Sequence, residues 1–330
     1  MSHRYAIIGA GSWGTAVARL LAEKGLDVTM VGHDRASVDA INADRENAKF
    51  LPGFALPENL VVTTDAAVAL ESADIALSVV PTRWVRRTWR QLQRLVRPGL
   101  PLISLTKGIE NKTLLRPTEI LKNLCPRSPV ACLSGPSHAE EVARNMPTTV
   151  TVASGNRRLR EMAQADLSTA VFRVYTNTDV LGVELGGAMK NVIALAAGMV
   201  DGLGFGDNTK AALLTRGLAE MSELGRAMGA RRNTFMGMAG VGDLITTAFS
   251  PFGRNRAVGE RLGRGETLKE ILDSMVMVVE GVGTTRSLNT LANRMNVEMP
   301  ITRQVHLILS RGKDPRRAVT ELMNRRQRGE

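Results

Sequence analysis

The chain has 330 residues, 44% of them hydrophobic and 23% charged, enough for one large domain or two and ordinary for a water-exposed globular fold. No stretch approaches the roughly 20 apolar residues of a membrane span, and strand signals start so early that no signal peptide is expected, so stable membrane insertion is excluded and a cytoplasmic location expected. Four histidines and two cysteines, Cys125 and Cys132, without a zinc spacing argue against a metal site and for reduced thiols, while a formal charge of +11 favours anionic partners.

Tyr5-Ala6-Ile7-Ile8 reads as a buried strand that runs straight into Gly9-Ala10-Gly11-Ser12-Trp13-Gly14. Strand, glycine turn and helix in this order form a receptor for a dinucleotide pyrophosphate. Gly9 permits the tight turn, Gly11 lets the backbone approach the phosphates, and Gly14 lets the helix pack on the strand. The helix N-terminus adds unpaired N–H groups and a positive dipole end. This helix is predicted over Ser12–Lys24, with Val17, Leu20 and Leu21 on one face and Gly25 as a left-handed cap. A second strand, Val28–Val31, completes a βαβ unit within about thirty residues.

Strands are predicted at Arg4–Ile8, Val28–Val31, Leu60–Thr63, Ile75–Val80, Leu102–Leu105, Val130–Leu133, Thr149–Ala153 and Val171–Tyr175. Several are continuous apolar runs, as in a parallel sheet covered on both faces. Between the fourth and fifth, Arg83, Arg86, Arg87, Arg90, Arg94 and Arg97 occur with no acidic residue among them. A second basic cluster holds Arg316, Arg317, Arg325, Arg326 and Arg328. Neither cluster is interleaved with stacking aromatics, so both read as solvated helix faces, and no nucleic-acid partner is expected. Beyond Asp179 helices take over, at Val183–Val200, Lys210–Met228 and Leu268–Ser274. The fold class is therefore α/β, an N-terminal Rossmann-type doubly wound sheet over 1–180 followed by a mostly helical domain over 181–330.

Lys190 stands in an apolar helix, with Gly186, Gly187, Ala194 and Ala197 as small same-face neighbours. The small residues leave space for a ligand or for another backbone. A desolvated lysine exchanges protons near neutrality, whereas one that snorkels to water does not, and periodicity leaves both readings open. Asp201–Asn208, with Gly202, Gly204 and Gly206, reads as a loop that either approaches a ligand or merely connects helices, with Asn208 as N-cap of the helix after it. Thr106-Lys107-Gly108 and Ser134-Gly135-Pro136-Ser137-His138-Ala139 end strands at the carboxyl edge of the sheet, where ligands bind. Gly253-Arg254-Asn255 pairs a guanidinium fork with an amide, a combination that grips phosphate.

Together these segments are specific. GAGSWGTAVA at 9–18, TKG at 106–108, SGPSHAEEVA at 134–143, the long block at 182–221, GMAGVGDL at 237–244, RNR at 254–256 and VVEG at 278–281 resemble the bacterial NAD(P)-dependent glycerol-3-phosphate dehydrogenases, up to about residue 320. The resemblance implies that Ser12, Trp13, His33 and Ala139 meet the cofactor, beside Gly9, Gly11 and Gly14 of the turn and Arg35, which follows the second strand where the ribose should lie. Lys107 would touch cofactor and substrate, and Gly135 and Ser137 would line the substrate site. Lys190 would be the proton donor and acceptor, with Asp243 organising the site. Arg254 would reach the cofactor as well as the phosphate that it holds with Asn255, while Val278 and Glu280 close on the cofactor. Where the family commonly has Ser-Arg-Asn this chain has Gly253-Arg254-Asn255, so any role of that hydroxyl must pass to backbone N–H.

The implied reaction is the reversible reduction of dihydroxyacetone phosphate to sn-glycerol 3-phosphate, which supplies the backbone of glycerophospholipids, in a homodimer with the site in the cleft between domains. The cofactor is NADP or NAD. Asp34 after the second strand favours NAD and the basic His33 and Arg35 favour a 2′-phosphate, which with the resemblance leans the expectation to NADP. The runner-up enzyme is a β-hydroxyacid or 6-phosphogluconate-type dehydrogenase, against which the 182–221 block argues. A non-catalytic dinucleotide sensor or nucleic-acid binder would not need Lys107, Lys190, Asp243 and Arg254.

Overall fold

The computed structural model describes residues 3–326. Arg328 of the second basic cluster lies outside them. Eight strands, β1 Arg4–Ile8, β2 Asp27–Val31, β3 Leu60–Thr63, β4 Ile75–Ser78, β5 Leu102–Ser104, β6 Val130–Ser134, β7 Thr148–Ala153 and β8 Phe172–Asn177, form one sheet in the order β3-β2-β1-β4-β5-β6-β7-β8. Neighbours run parallel except β6 and β7, which pair antiparallel through Leu133 and Val152. Seven helices alternate with the strands, α1 Ser12–Glu23, α2 Arg35–Asp44, α3 Ala66–Ser72, α4 Thr82–Leu92, α5 Pro117–Leu124, α6 Ala139–Ala143 and α7 Arg157–Leu167, and α8 Val180–Gly202 follows β8. Then follow α9 Asp207–Ala227, α10 Arg232–Phe235, a π-helical turn Met238–Gly242, α11 Asp243–Phe249, α12 Arg254–Gly263, α13 Leu268–Asp273, α14 Glu280–Arg294, α15 Pro300–Arg311 and α16 Pro315–Met323.

The continuous apolar runs are explained by two separate cores. Tyr5 and Ile7 of β1 enter one with Met30, Leu77 and Ile103, while Ala6 and Ile8 enter another with Ala76, Leu102 and Trp89. Period-2 alternation thus sends successive residues of one strand into apolar packing on opposite faces. The chain winds outward from β1 to β3 and returns to β4 beside β1. The strand order reverses there, which makes the β1/β4 carboxyl ends the place for a ligand.

The chain divides into two compact units, one of residues 1–107 and 115–184, the other of Gly108–Leu114 and residues 185–330. Helix α8, which begins in the first unit and continues into the second, is long and apolar enough to cross a membrane by length and composition, unlike the sequence expectation, and 89% of its most apolar stretch is buried in the protein. Gly202 belongs to this helix rather than to a loop, and Asp207 and Asn208 already belong to α9, whose N-cap is Gly206 rather than Asn208. The reason is helix packing. A Cβ on Gly198 would lie 1.9 Å from the Arg256 carbonyl oxygen of α12, and one on Gly259 of α12 would lie 2.0 Å from that of Leu195. Glycines on both helices let the two backbones touch.

On α4, Val85 and Trp89 turn inward, and Trp89 Nε1 donates to buried Ser78 Oγ at 2.8 Å. Arg83 and Arg87 remain exposed but flank the ring of exposed Trp84 at 5.2 and 5.7 Å. Arg316 stacks over Phe205 at 5.3 Å. Both basic clusters therefore do carry an aromatic partner, brought in by helical spacing in one case and by tertiary contact in the other. Arg317 and Arg325 pair with Glu321 and Glu298.

Candidate active site

The glycine turn is built by exclusion. Gly9 has φ +123° and its N–H donates to Val31 O at 3.0 Å; a Cβ there would lie 2.5 Å from the Val79 carbonyl oxygen. A Cβ on Gly14 would lie 2.0 Å from Gly9 O, whereas around Gly11 there is nothing within 4 Å. Helix α1 opens at Ser12 with no side chain capping it. An open glycine at an uncapped helix N-terminus fits a pyrophosphate, so the residues present suit a dinucleotide. Trp13 is half-buried, and its Nε1 is buried without a hydrogen-bond partner among the described residues. Asn47, which sequence reasoning missed, holds the turn from behind: its Nδ2 donates to Ala10 O at 3.0 Å and to Thr15 Oγ1 at 2.7 Å. Ala139 is buried in the core that also takes in the inner face of α1.

After β2, Asp34 caps the following helix. Its carboxylate accepts from Ser37 N at 3.1 Å and from the Ser37 hydroxyl, as the N-cap of α2. The Ser37 bonds hold this carboxyl below its usual range. His33 and Arg35 on either side are exposed, and Arg35 reaches Asp39 at 3.4 Å and Thr64 Oγ1 at 3.4 Å.

Lys107 follows β5, and Gly135 and Ser137 follow its parallel neighbour β6, so all three come to the same edge of the sheet. Lys107 Nζ donates to Gly135 O at 2.7 Å and to Ser137 Oγ at 3.4 Å. Thr106 Oγ1 donates to Val80 O at 2.8 Å, tying this group to the end of β4.

In the second unit, Lys190 Nζ is buried and donates to Asp243 Oδ1 at 2.6 Å and to Thr247 Oγ1 at 2.5 Å. Asp243 and Thr247 are four residues apart on α11, so both face α8. Thr247 was not singled out from sequence; its spacing from Asp243 was the available signal. The small residue Gly186 seats a backbone, since its Cβ would lie 2.3 Å from Ala239 O of the π-helical turn. Of the two readings left open for the small residues, close backbone approach is the one realised there.

Arg254 opens α12 and is exposed, with Nη1 donating to Val278 O at 3.2 Å, while Glu280 begins α14. Asn255 is buried. Its Nδ2 donates to Asn191 Oδ1 at 2.9 Å and its Oδ1 accepts from Gly281 N at 2.9 Å, so its amide joins α8, α12 and α14. Gly253 N–H already donates to Ser250 O at 3.0 Å, so it does not take over the role of the missing hydroxyl. Among the described residues no group of three or more His, Cys, Asp or Glu gathers to hold a metal ion.

Two family models cover nearly the whole of this architecture. NAD-dependent glycerol-3-phosphate dehydrogenase N-terminus matches residues 4–160, and NAD-dependent glycerol-3-phosphate dehydrogenase C-terminus matches residues 179–320. The chain belongs to the NAD-dependent glycerol-3-phosphate dehydrogenase family. It is 48% identical over 327 residues to glycerol-3-phosphate dehydrogenase [NAD(P)+] of Desulfitobacterium hafniense, covering 99% of this chain and 93% of that protein. The namesake protein of Citrifermentans bemidjiense is 49% identical, covering 100% of this chain and 99% of its own length. Among solved structures, glycerol-3-phosphate dehydrogenase from Coxiella burnetii superposes with a TM-score of 0.95 at 39% identity, covering 98% of this chain and 99% of that one. Family membership displaces the runner-up β-hydroxyacid assignment.

Proposed function

We propose that the protein is an NAD(P)-dependent dehydrogenase that interconverts dihydroxyacetone phosphate and sn-glycerol 3-phosphate, with Lys190 as proton donor and acceptor. The observation that carries the role of Lys190 is its buried ammonium, fixed by Asp243 and Thr247. The bound nicotinamide supplies or takes the hydride at C2. In reduction, negative charge grows on the ketone oxygen. The ammonium stabilises that charge and then gives its proton to the oxygen; in oxidation the neutral amine takes the hydroxyl proton back. Asp243 holds the ammonium, and Thr247, whose hydroxyl donates to Asp243 O at 2.7 Å, sets its direction.

In this reading the first unit binds the dinucleotide through Gly9–Gly14 and Ala139. Lys107, with Gly135 and Ser137, presents a positive charge at the sheet edge, and Arg254 takes the substrate phosphate. Val278, whose carbonyl accepts from Arg254, and Glu280 act beside it on the cofactor. Asn255 acts indirectly, by holding α12 and α14 together. NADPH is the preferred cofactor in this reading, because Ser37 engages Asp34 as a helix cap, while His33 and Arg35 are exposed and Arg35 would exchange its exposed contacts to Asp39 and Thr64 for a 2′-phosphate. A cytoplasmic homodimer is inferred from the resemblance, and light scattering on the purified protein tests the assembly. The deciding experiment follows oxidation of NADPH and NADH in parallel with dihydroxyacetone phosphate and with unphosphorylated dihydroxyacetone. Turnover with the phosphate ester and NADPH is expected to exceed every other combination; equal rates with and without the phosphate would refute the substrate assignment.

A further inference from the structure

Glu184 has 1% of its side chain exposed, and no step above uses it. Its Oε2 accepts from Arg116 Nη1 at 2.6 Å and from the Thr118 hydroxyl at 2.5 Å, and its Oε1 accepts from Thr118 N at 2.9 Å. Arg116, itself 14% exposed, also pairs with Glu119 at 2.8 Å. The carboxylate thus sits at the N-terminus of α5, under a guanidinium. A buried ion pair is a weak source of stability, because taking both ions out of water costs about what their attraction returns. Its strength is directional: a planar fork and a helix terminus together fix one carboxylate in one place.

That place is singular in the chain. The backbone passes between the two compact units after Lys107, after Leu114 and after Glu184. Arg116 stands just beyond the second passage and Glu184 at the third, so a single ion pair ties two of the three passages together. The start of α8 is held further by Gly182 N donating to Asp179 Oδ1 at 2.9 Å. From Glu184 the helix continues unbroken into the second unit, and Lys190 lies about 9 Å farther along it at roughly 1.5 Å per residue.

We propose that Arg116 and Glu184 are positioning residues, a clasp that fixes the first turns of α8 and thereby steadies the helix that carries Lys190. The proposal rests on the dehydrogenase reading above. It explains why two charges are buried where two apolar side chains would pack at lower cost. Small errors in placement are expensive in rate, since a displacement of about 1 Å can cost about 10²-fold.

The test uses full-length Glu184→Gln, which keeps the shape and loses the charge, and Arg116→Met with Glu184→Met, which leaves neither charge stranded. Both are expected to bind NADPH with near wild-type affinity by fluorescence titration. Turnover of dihydroxyacetone phosphate should fall roughly tenfold or more. With NADPH deuterated at the transferred position, the primary isotope effect on kcat should rise above that of wild type. Hydrogen exchange at the first turns of α8 should quicken while the sheet strands stay protected, a readout that needs no substrate. Wild-type kcat, a loss of kcat with an unchanged isotope effect, or unchanged exchange in α8 would each overturn the clasp. So would failure of both variants to fold, which would make the pair part of the core. An inactive wild-type protein would instead remove the dehydrogenase reading, and the exchange measurement would still judge the clasp.

Discussion

Lys190 and Asp243 separate catalysis from stability in a way that three variants resolve. Their side chains are 8% and 2% exposed and their charged atoms are 2.6 Å apart. Lys190→Met alone removes the cation beside a buried carboxylate, and Asp243→Leu alone removes the anion beside a buried ammonium. Breaking a buried pair in this way costs about 3–5 kcal/mol, whereas replacing both members with apolar side chains of similar size is often neutral or stabilising. Thr247 retains its bond to the Asp243 carbonyl in the double variant. The expected order of unfolding temperature is therefore two destabilised single variants and a double variant close to wild type. Turnover should not follow that order. Loss of the general acid removes about 10²–10⁴-fold in rate, and loss of the charge facing the developing oxyanion adds to it. Thermal unfolding of the four proteins, with NADPH oxidation at saturating dihydroxyacetone phosphate, reads both quantities. A double variant no more stable than either single would show that the attraction between the two charges does not govern their contribution to stability. One that keeps more than about a tenth of wild-type activity would remove Lys190 from the proton route.

Arg35→Ala should raise the Michaelis constant for NADPH and leave that for NADH almost unchanged; similar changes with both would deny Arg35 contact with the 2′-phosphate. Gly253→Ser, which introduces the family's common residue, should lower activity: a Cβ there would lie 2.6 Å from the Thr247 carbonyl oxygen, and Thr247 holds Lys190. A gain in kcat/KM would contradict this. Glu220, buried beneath the start of α15, accepts from Ile301 N and Thr302 N, and its burial pushes the carboxyl from 4.5 up to about 7. A raised folded-state value means stability that is complete below 4.5 and is lost as pH rises through about 7. At about 1.36 kcal/mol per pH unit the gap amounts to about 3 kcal/mol. Glu220→Gln should therefore gain on wild type by about this amount between pH 5 and 8, and a pH-independent difference in their unfolding would refute the assignment.

The parts of the fold legible in the sequence are those that local physics decides. The glycine turn could be read because Gly9 needs positive φ and Gly14 sits against Gly9 O, both set within the same few residues. The central strands β1, β4 and β5 could be read because both their faces are covered, so apolar runs mark them whatever their neighbours. Direction is another matter: the β-branched run Thr148–Val152 looks the same whether β7 lies parallel or antiparallel to β6. Gly202 misled for a related reason, since glycine is costly in an isolated helix, and only the α12 backbone against it explains its presence in α8.

The candidate site divides along the same line. Lys190 and Lys107 stand out as charges in an apolar helix and at a strand end, but each leaves two readings open by itself, and their expected roles, like that of Asp243, come from the resemblance. Thr247, Asn47 and Asn191 are ordinary polar residues whose importance lies wholly in the atoms they meet. Asn255 shows the converse: beside an arginine it looks like a phosphate ligand, yet both ends of its amide engage other parts of the protein. Asp34 is similar, since as a carboxylate after β2 it suggests NAD, while as the cap of α2 it is already engaged by Ser37. A polar side chain has a limited number of bonds to give, and the fold often takes them before the ligand arrives. For cofactor choice, the proposed preference for NADPH therefore rests on the exposure of His33 and Arg35, while the helix cap engages one oxygen of Asp34.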